Sequence, residues 1–275
     1  MRAAFLAAPL LLSALIAVAS PAAAQRAAVE VRTRPDAVGD LYRYRSEAKY
    51  AETNSDGSAT QANTQVFDIE VLGVTEDGLR LRYTLREASL TDTSGPSMET
   101  ALKALIGIPL DFQLRADGAL VGLENWAGFK AKVLAAVDAA LPAQDPIRNT
   151  YHQRFGQQPM YAAQDMVLGD VRLLAIMEPK GAAPVGMSEV TDDRRTPPGR
   201  ALSDVKEIKP GCTVRIVRVA VGGASGIRQD FTTEALLSVQ DGRVISLTQK
   251  RVERAGGASV DESVTMRRLS AVPAC

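Results

Sequence analysis

The chain has 275 residues, of which 46% are hydrophobic and 23% are charged, as is typical of a folded globular protein. This composition excludes a disordered, collagen-like or disulfide-scaffold protein. Its 32 basic residues balance its 32 acidic residues, so no net charge attracts nucleic acid or an anionic membrane surface.

Residues 1–24 have the three parts of a secretory signal peptide. Arg2 supplies the positive start, the apolar run covers residues 3–18, and small residues precede the predicted cleavage between Ala24 and Gln25. The run is shorter than the roughly 20 residues that a membrane-spanning helix needs. We therefore expect a bacterial periplasmic or secreted protein, with no transmembrane anchor after cleavage and 275 − 24 = 251 residues to fold.

The two cysteines, Cys212 and Cys275, are predicted to form a disulfide, because an even number of cysteines in an oxidising compartment favours a bridge. Two free thiols are the alternative. The bridge closes a loop of 275 − 212 = 63 residues. Loop-closure entropy assigns such a bridge about 4 kcal/mol.

The segment from Leu41 to Leu85 alternates apolar and polar residues, which predicts three half-buried antiparallel strands. Asp56-Gly57 and Asp77-Gly78 predict the hairpin turns between them. The polar face of the third strand carries three arginines, which we interpret as a solvated face rather than an anion site: Arg80, Arg82 and Arg86. The spacing of Met98–Leu105 predicts a short helix, and alternation over Leu110–Leu114 predicts another hairpin.

The middle of the chain changes to a helical period. An apolar stripe predicts an amphipathic helix from Trp126 to Leu141, and Asp145-Pro146 with Gly156 predicts a second helix over residues 146–155. The run from Pro159 to Met177 is predicted to start as a helix and to break near Gly169; the pattern leaves its second half open.

Residues 179–211 are rich in proline and glycine, which predicts mostly loop. This segment is either a boundary within residues 25–275 or a long connection with short strands inside one domain. Strand patterns resume at Cys212 and continue to Leu269. The order of strands, helices and strands predicts a single α+β domain, in which a curved, half-barrel-like antiparallel sheet from both chain ends packs against the central helices.

Catalytic motifs are weak. His152 is the only histidine, which excludes paired-histidine zinc sites, and Ser188 lacks the glycine that completes a nucleophile elbow. The loop at 222–226 lacks the Lys-Ser/Thr of a phosphate-binding loop. We therefore expect no metal and no cofactor, and we favour a protein that is not an enzyme. A glycan-acting enzyme is the less favoured alternative, with acids of unremarkable spacing: Glu87, Asp111, Glu124 and Asp165.

The apolar face of the strands is the feature that bears most directly on function. If the helix from Trp126 to Leu141 leaves a curved sheet incompletely filled, that face lines an apolar cavity. The candidate ligand-lining residues are Tyr42, Tyr44, Leu81, Tyr83, Phe112, Trp126 and Phe129. This predicts a carrier of an apolar small molecule or lipid. The alternative is a filled core in a non-catalytic structural or interaction protein, with other envelope proteins as partners.

The layout resembles a group of uncharacterised exported β-rich bacterial proteins. The resemblance is carried by a Tyr-rich first strand, the hairpin Asp77-Gly78-Leu79-Arg80-Leu81, the turn Asp117-Gly118, central helices and the late turn Asp241-Gly242. The layout is also similar to that of periplasmic lipoprotein carriers, in which helices close a half-open barrel. The resemblance implies a curved sheet covered by helices and transfers no site residue.

Overall fold

The structure, a computed structural model, describes residues 27–93, 98–116, 118–157, 159–179, 181–192, 199–222 and 227–275. The predicted signal peptide and its Ala24–Gln25 cleavage site lie outside the described residues. So do Asp117 of one predicted turn and the side chain of Asp165.

The described residues form short helices between two groups of strands. The strands are β1 (Ala28–Val29), β2 (Leu41–Asn54), β3 (Gly57–Thr75), β4 (Gly78–Asp92), β5 (Pro109–Arg115), β6 (Leu120–Leu123), β7 (Ala183–Pro184), β8 (Gly186–Asp192), β9 (Gly199–Lys209), β10 (Thr213–Gly222), β11 (Ile227–Ser238), β12 (Val244–Ala255) and β13 (Ala258–Arg268). The helices are α1 (Glu99–Lys103), α2 (Trp126–Ala140), α3 (Pro146–Tyr151), which continues as a π-helical turn (His152–Gly156), and α4 (Met160–Met177).

Eleven strands form one open antiparallel sheet in the order β6-β5-β4-β3-β2-β13-β12-β11-β10-β9-β8, and β1 pairs separately with β7. The two ends of the chain meet at the centre of this sheet, where β2 pairs with β13. We call the face that packs against the helices the inner face and the opposite one the outer face. The predicted α+β fold, with a curved sheet from both chain ends and central helices, is confirmed.

The hairpin between β3 and β4 depends on its glycine. Gly78 has a φ of 144°, in the region that favours glycine, and a Cβ at this position would overlap the carbonyl oxygen of Leu114 on β5. The Asp-Gly pattern therefore marks a turn at which a third strand approaches the backbone closely.

The helices follow the predicted pattern. Phe129, Val133 and Val137 of α2 are buried, and the Asp145 side chain caps α3 by accepting a hydrogen bond from the Ile147 amide at 2.8 Å. Helix α4 has a break at Leu168, where φ is −110° and ψ is 17°, beside the Gly169 that predicted it. Its undecided second half is helical.

The prediction that residues 179–211 are mostly loop is wrong. They contain β7, β8 and β9, and the last two form a hairpin at one edge of the large sheet. The prolines suggested a loop, but those near the strands lie at strand ends: Pro184 is the last residue of β7, and Pro210 follows β9. Within β9, buried Ala201, Ser203 and Val205 alternate with exposed residues in a strand pattern.

The predicted disulfide between Cys212 and Cys275 is present, with the two Cα atoms 5.2 Å apart. Cys212 lies between β9 and β10, and Cys275 is the last residue after β13. The bridge therefore fastens the C-terminal tail to the far half of the sheet.

Candidate functional site

Five of the seven predicted ligand-lining residues lie together on the inner face of the sheet. Tyr42, Tyr44, Leu81, Tyr83 and Phe112 are each at most 4% exposed. They sit on the neighbouring strands β2, β4 and β5, with Phe67 of β3 between two of the tyrosines: its ring centroid lies 5.8 Å from that of Tyr44 and 5.4 Å from that of Tyr83. These side chains form a continuous apolar floor under the helices.

The other two predicted residues, Trp126 and Phe129, belong to the helix layer. The Trp126 ring lies 5.7 Å from that of Phe129 and 5.5 Å from that of Phe155 in the π-helical turn. Tyr151 of α3 extends the aromatic cluster, with its ring centroid 5.1 Å from that of Phe155. The cluster joins α2 and α3 to each other, and Trp126 is only partly buried within it.

The interior is closely filled where the floor meets the second half of α4. The cavity that Tyr42, Tyr44 and Leu81 line measures about 10 Å³. Its helical side is formed by Val171, Leu174 and Ala175 of α4, whereas the sequence pattern pointed to α2 as the cover. The second half of α4, which the pattern left open, thus supplies this side. That the seven residues line a ligand site stays a prediction.

A buried ion-pair cluster lies at the end of this floor, and sequence reasoning missed it. Arg243 donates from Nη1 to Glu178 at 2.6 Å and from Nη2 to Asp36 at 2.7 Å, and all three side chains are at most 5% exposed. Arg32 contacts Asp36 at 2.8 Å. Arg268 is paired with Asp241 at 2.7 Å, so three cations meet three carboxylates.

The cluster is built around the Tyr42 ring. The guanidinium carbons of Arg243 and Arg268 lie 4.7 and 5.1 Å from its centroid, and its hydroxyl donates to Asp36 at 3.1 Å. Burial raises the pKa of the Tyr42 hydroxyl, which therefore stays protonated at neutral pH. Because its charges balance, we interpret the cluster as structural. It holds the N-terminal segment, the end of α4 and the start of β12 together.

Asp170, in the middle of α4, is an acidic residue with no ion-pair partner among the described residues. Asp170 follows the break at Leu168 and accepts a hydrogen bond from the Ser46 side chain on β2. Burial raises the pKa of the Asp170 carboxyl, and the Ser46 hydrogen bond offsets part of this effect. The contact places an ionisable group at the joint between helix layer and sheet.

Replacing Asp170 with asparagine is expected to stabilise the protein at neutral pH. Since the folded pKa is raised, wild-type stability falls as the pH rises from the unfolded value, about 3.9, through the folded pKa, and the loss persists above it. Asparagine removes this loss and still accepts from Ser46. Thermal melts at pH 4 and pH 7.5 should show a higher variant Tm mainly at pH 7.5. An equal Tm difference at both values would contradict the explanation.

The arginine stripe on β4 is ion-paired on the outer face. Arg80 contacts Glu124, Arg82 contacts Asp111 and Arg86 contacts Asp68, each at 2.7 Å. This agrees with the predicted solvated face. Two of the candidate glycan-hydrolysing acids are used in these pairs. Hydrogen bonds from Arg80 and Gln113 lower the pKa of the Glu124 carboxyl, the opposite of what a general acid needs.

His152 makes a surface contact. Its Nε2 lies 2.7 Å from the Asp138 carboxylate on α2, and its side chain is 40% exposed. Arg148 shares the same carboxylate at 2.6 Å. Among the residues that the structure describes, no group of three or more His, Cys, Asp or Glu side chains is arranged to hold a metal ion, and no helix is long and apolar enough to cross a membrane.

No protein-family model and no curated protein matches the sequence. Among solved structures, the chain is similar to lipovitellin, in a structure describing lipid–protein interactions, with 9% identity and a TM-score of 0.51. The match covers 87% of this chain and 26% of lipovitellin, so the chain spans about a quarter of that protein. A putative outer membrane lipoprotein-sorting domain from Vibrio parahaemolyticus has 10% identity and a TM-score of 0.22, covering 84% and 87% of the two chains. The lipovitellin match supports the fold alone.

Proposed function

We propose that this protein binds and carries an apolar or lipid ligand in the bacterial envelope, with the ligand held between the sheet and the helices. The observation that carries the proposal is the apolar floor. Tyr44, Phe67, Tyr83 and Phe112 form it on three adjacent pairs of strands, and helices rather than a second sheet cover it. A helix layer can move off such a floor without breaking any hydrogen bond of the sheet.

Ligand entry requires this layer to move, since the cavity of about 10 Å³ is far below the 300 Å³ typical of ligand pockets. Helix α4 is fastened at its end, where Glu178 bonds Arg243 and the Val244 amide. Its break at Leu168 separates the fastened half from the half beside α3. We infer that α4 swings about this fastened end and leaves the floor together with α2 and α3.

Three further observations support a carrier in the envelope. The signal-like first 24 residues and the Cys212–Cys275 bridge fit export to an oxidising compartment. The fold is similar to part of lipovitellin, whose structure describes lipid–protein interactions. The close packing of the floor against α4 favours a second candidate function, a non-catalytic envelope protein that acts through its surface.

Trp126 is the single tryptophan and provides the test. Delipidated protein is titrated with oleate and with phosphatidylglycerol while the Trp126 emission is recorded. A carrier should give a saturable change in emission, because Trp126 packs partly buried against the core, and opening exchanges these surroundings for bound lipid or water. Native mass spectrometry should show a lipid adduct. Unchanged emission together with adduct-free spectra would favour the surface-acting alternative.

A locked variant separates opening from non-specific binding. Ser46→Cys with Asp170→Cys joins β2 to α4 at a contact that already exists. The oxidised variant is expected to lose the emission change, and reductant should restore it. Wild-type protein with the same reductant controls for the native bridge. Full lipid binding by the oxidised variant would contradict a site beneath the helices.

A further inference from the structure

The outer face of the sheet carries a groove on the side away from the helices. Two cavities of about 420 Å³ each lie along it, and Lys250 lines both. The first extends over β12, β13, β2, β3 and β4, and the second over β11 and β12. With strands about 4.8 Å apart, the groove crosses six of them over roughly 24 Å.

Two lysines face each other across this groove. Lys49 on β2 and Lys250 on β12 are both register partners of Ser263 on β13, so the three side chains form one row on the outer face. The two lysines stand about 10 Å apart, two strand spacings. Each side chain is long and flexible enough to bring its ammonium group above the Ser263 hydroxyl.

These lysines differ from the paired cations around them. The outer-face arginines Arg43, Arg82 and Arg215 each hold a carboxylate at 2.6–2.7 Å. Within the described part of the chain, neither Lys49 nor Lys250 has an ion-pair partner at such a distance. Both are exposed and line the groove, so they offer two positive charges to an incoming group.

The groove floor beside this row is aliphatic. Ala51, Ala62 and Val252 lie on it and are only partly exposed, although they belong to the outer face. Asp261 lies in the same row as Ala51 and Val252 and lines the first cavity.

Glu47 and Glu234 share the outer face, and they are paired with Arg45 and Arg215. Arg251 and Glu262 also line the first cavity and pair with each other at 3.2 Å. The outer-face residues of the cavity thus combine two lysines without such a partner, the Asp261 carboxylate, several hydroxyls and an apolar floor.

We propose that this groove binds an anionic amphiphile, with its phosphate or carboxylate head on Lys49, Ser263 and Lys250 and its apolar chain along the floor. Charge complementarity selects an anionic head, and the aliphatic floor selects an attached chain over a free anion. The Asp261 carboxylate lies beside the Lys49–Ser263–Lys250 row and repels any second anionic group that a ligand would place next to it. This site is on the opposite face from the proposed carrier site and does not depend on it.

Calorimetric titration of the mature protein with decyl phosphate below its micelle concentration tests the proposal. Lys49→Gln with Lys250→Gln is expected to weaken binding about fivefold to twentyfold, as the loss of two exposed charge contacts implies. Raising the salt concentration should weaken wild-type binding more than variant binding. Lys206→Gln, an exposed lysine on β9 outside the groove, is the matched control and should leave binding unchanged.

Inorganic phosphate and octyl glucoside separate the two parts of the site. Both are expected to bind at least tenfold more weakly than decyl phosphate, because each satisfies only one part. Equal affinities for phosphate and decyl phosphate would overturn the amphiphile assignment. Equal decyl phosphate affinities of wild type and the double lysine variant, with matching thermal melts, would overturn the site.

The oxidised Ser46→Cys/Asp170→Cys protein distinguishes this groove from the carrier site. It should still bind decyl phosphate with wild-type affinity and without a change in Trp126 emission, because the groove lies on the other face. Loss of decyl phosphate binding in the locked protein would place that ligand beneath the helices and would overturn the groove site.

Discussion

Replacing Arg243 with methionine is expected to lower the free energy of unfolding by about 3–5 kcal/mol, because it leaves buried carboxylates without their partner. Glu178 and Asp36 are at most 4% exposed, and each accepts a hydrogen bond from this guanidinium. Methionine fills similar volume, so most of the loss comes from charge rather than from a cavity. Arg32 retains Asp36 but lies 3.8 Å from Glu178, too far to replace the lost hydrogen bond.

Urea unfolding monitored by Trp126 emission measures the effect, and Arg215→Met is its matched control. Arg215 holds Glu234 through two hydrogen bonds at 2.7 and 3.1 Å, but this pair is 41% and 51% exposed. The control should lower the free energy of unfolding far less, because solvent screens an exposed pair. Similar losses in the two variants would show that burial does not strengthen the cluster.

The same variant connects stability with the proposed opening. If Glu178 fastens the end of α4, Arg243→Met should also let the second half of the helix leave the floor. Hydrogen exchange at residues 170–177 is then expected to speed up more than exchange in β3 or β4. Uniform acceleration throughout the protein would mean that the cluster stabilises the whole fold and does not specifically hold α4.

Local patterns predicted most of the fold because each element repeats its own period. Alternation predicted β2 to β4, and the stripe from Trp126 predicted α2, since half-buried strands and helices expose one face. The floor residues were predicted for the same reason. The helix that closes over Tyr44 was not, because the break at Leu168 interrupts the helical period.

The buried ion-pair cluster could not be predicted from local patterns. Asp36 and Arg243 are 207 residues apart, and only the assembled sheet brings them together. Arg268 and Asp241 likewise occupy positions at which exposed charges are common. The outer groove has the same origin: the Lys49–Ser263–Lys250 row exists only because β13 pairs with both β2 and β12.

Replacing Cys275 with serine is expected to lower the free energy of unfolding by up to about 4 kcal/mol, since the bridge closes a 63-residue loop. Urea unfolding of oxidised wild type, reduced wild type and Cys275→Ser measures the loss. Cys212→Ser should match Cys275→Ser, because either substitution opens the same loop. Agreement between all three opened forms would assign the loss to the bridge rather than to the new serine.

The tail beyond β13 is also expected to couple this bridge to the buried ion-pair cluster. Arg268 donates to the Ser270 hydroxyl at 3.1 Å and to Asp241 at 2.7 Å, and the bridge holds the end of the same tail at Cys212. When the tail is released, water reaches the Arg268–Asp241 pair and weakens it. Arg268→Met should therefore cost less in the Cys275→Ser background than in wild type, by about 1 kcal/mol or more for neighbouring sites. Strictly additive losses in this double-mutant cycle would show that the tail does not shield the cluster.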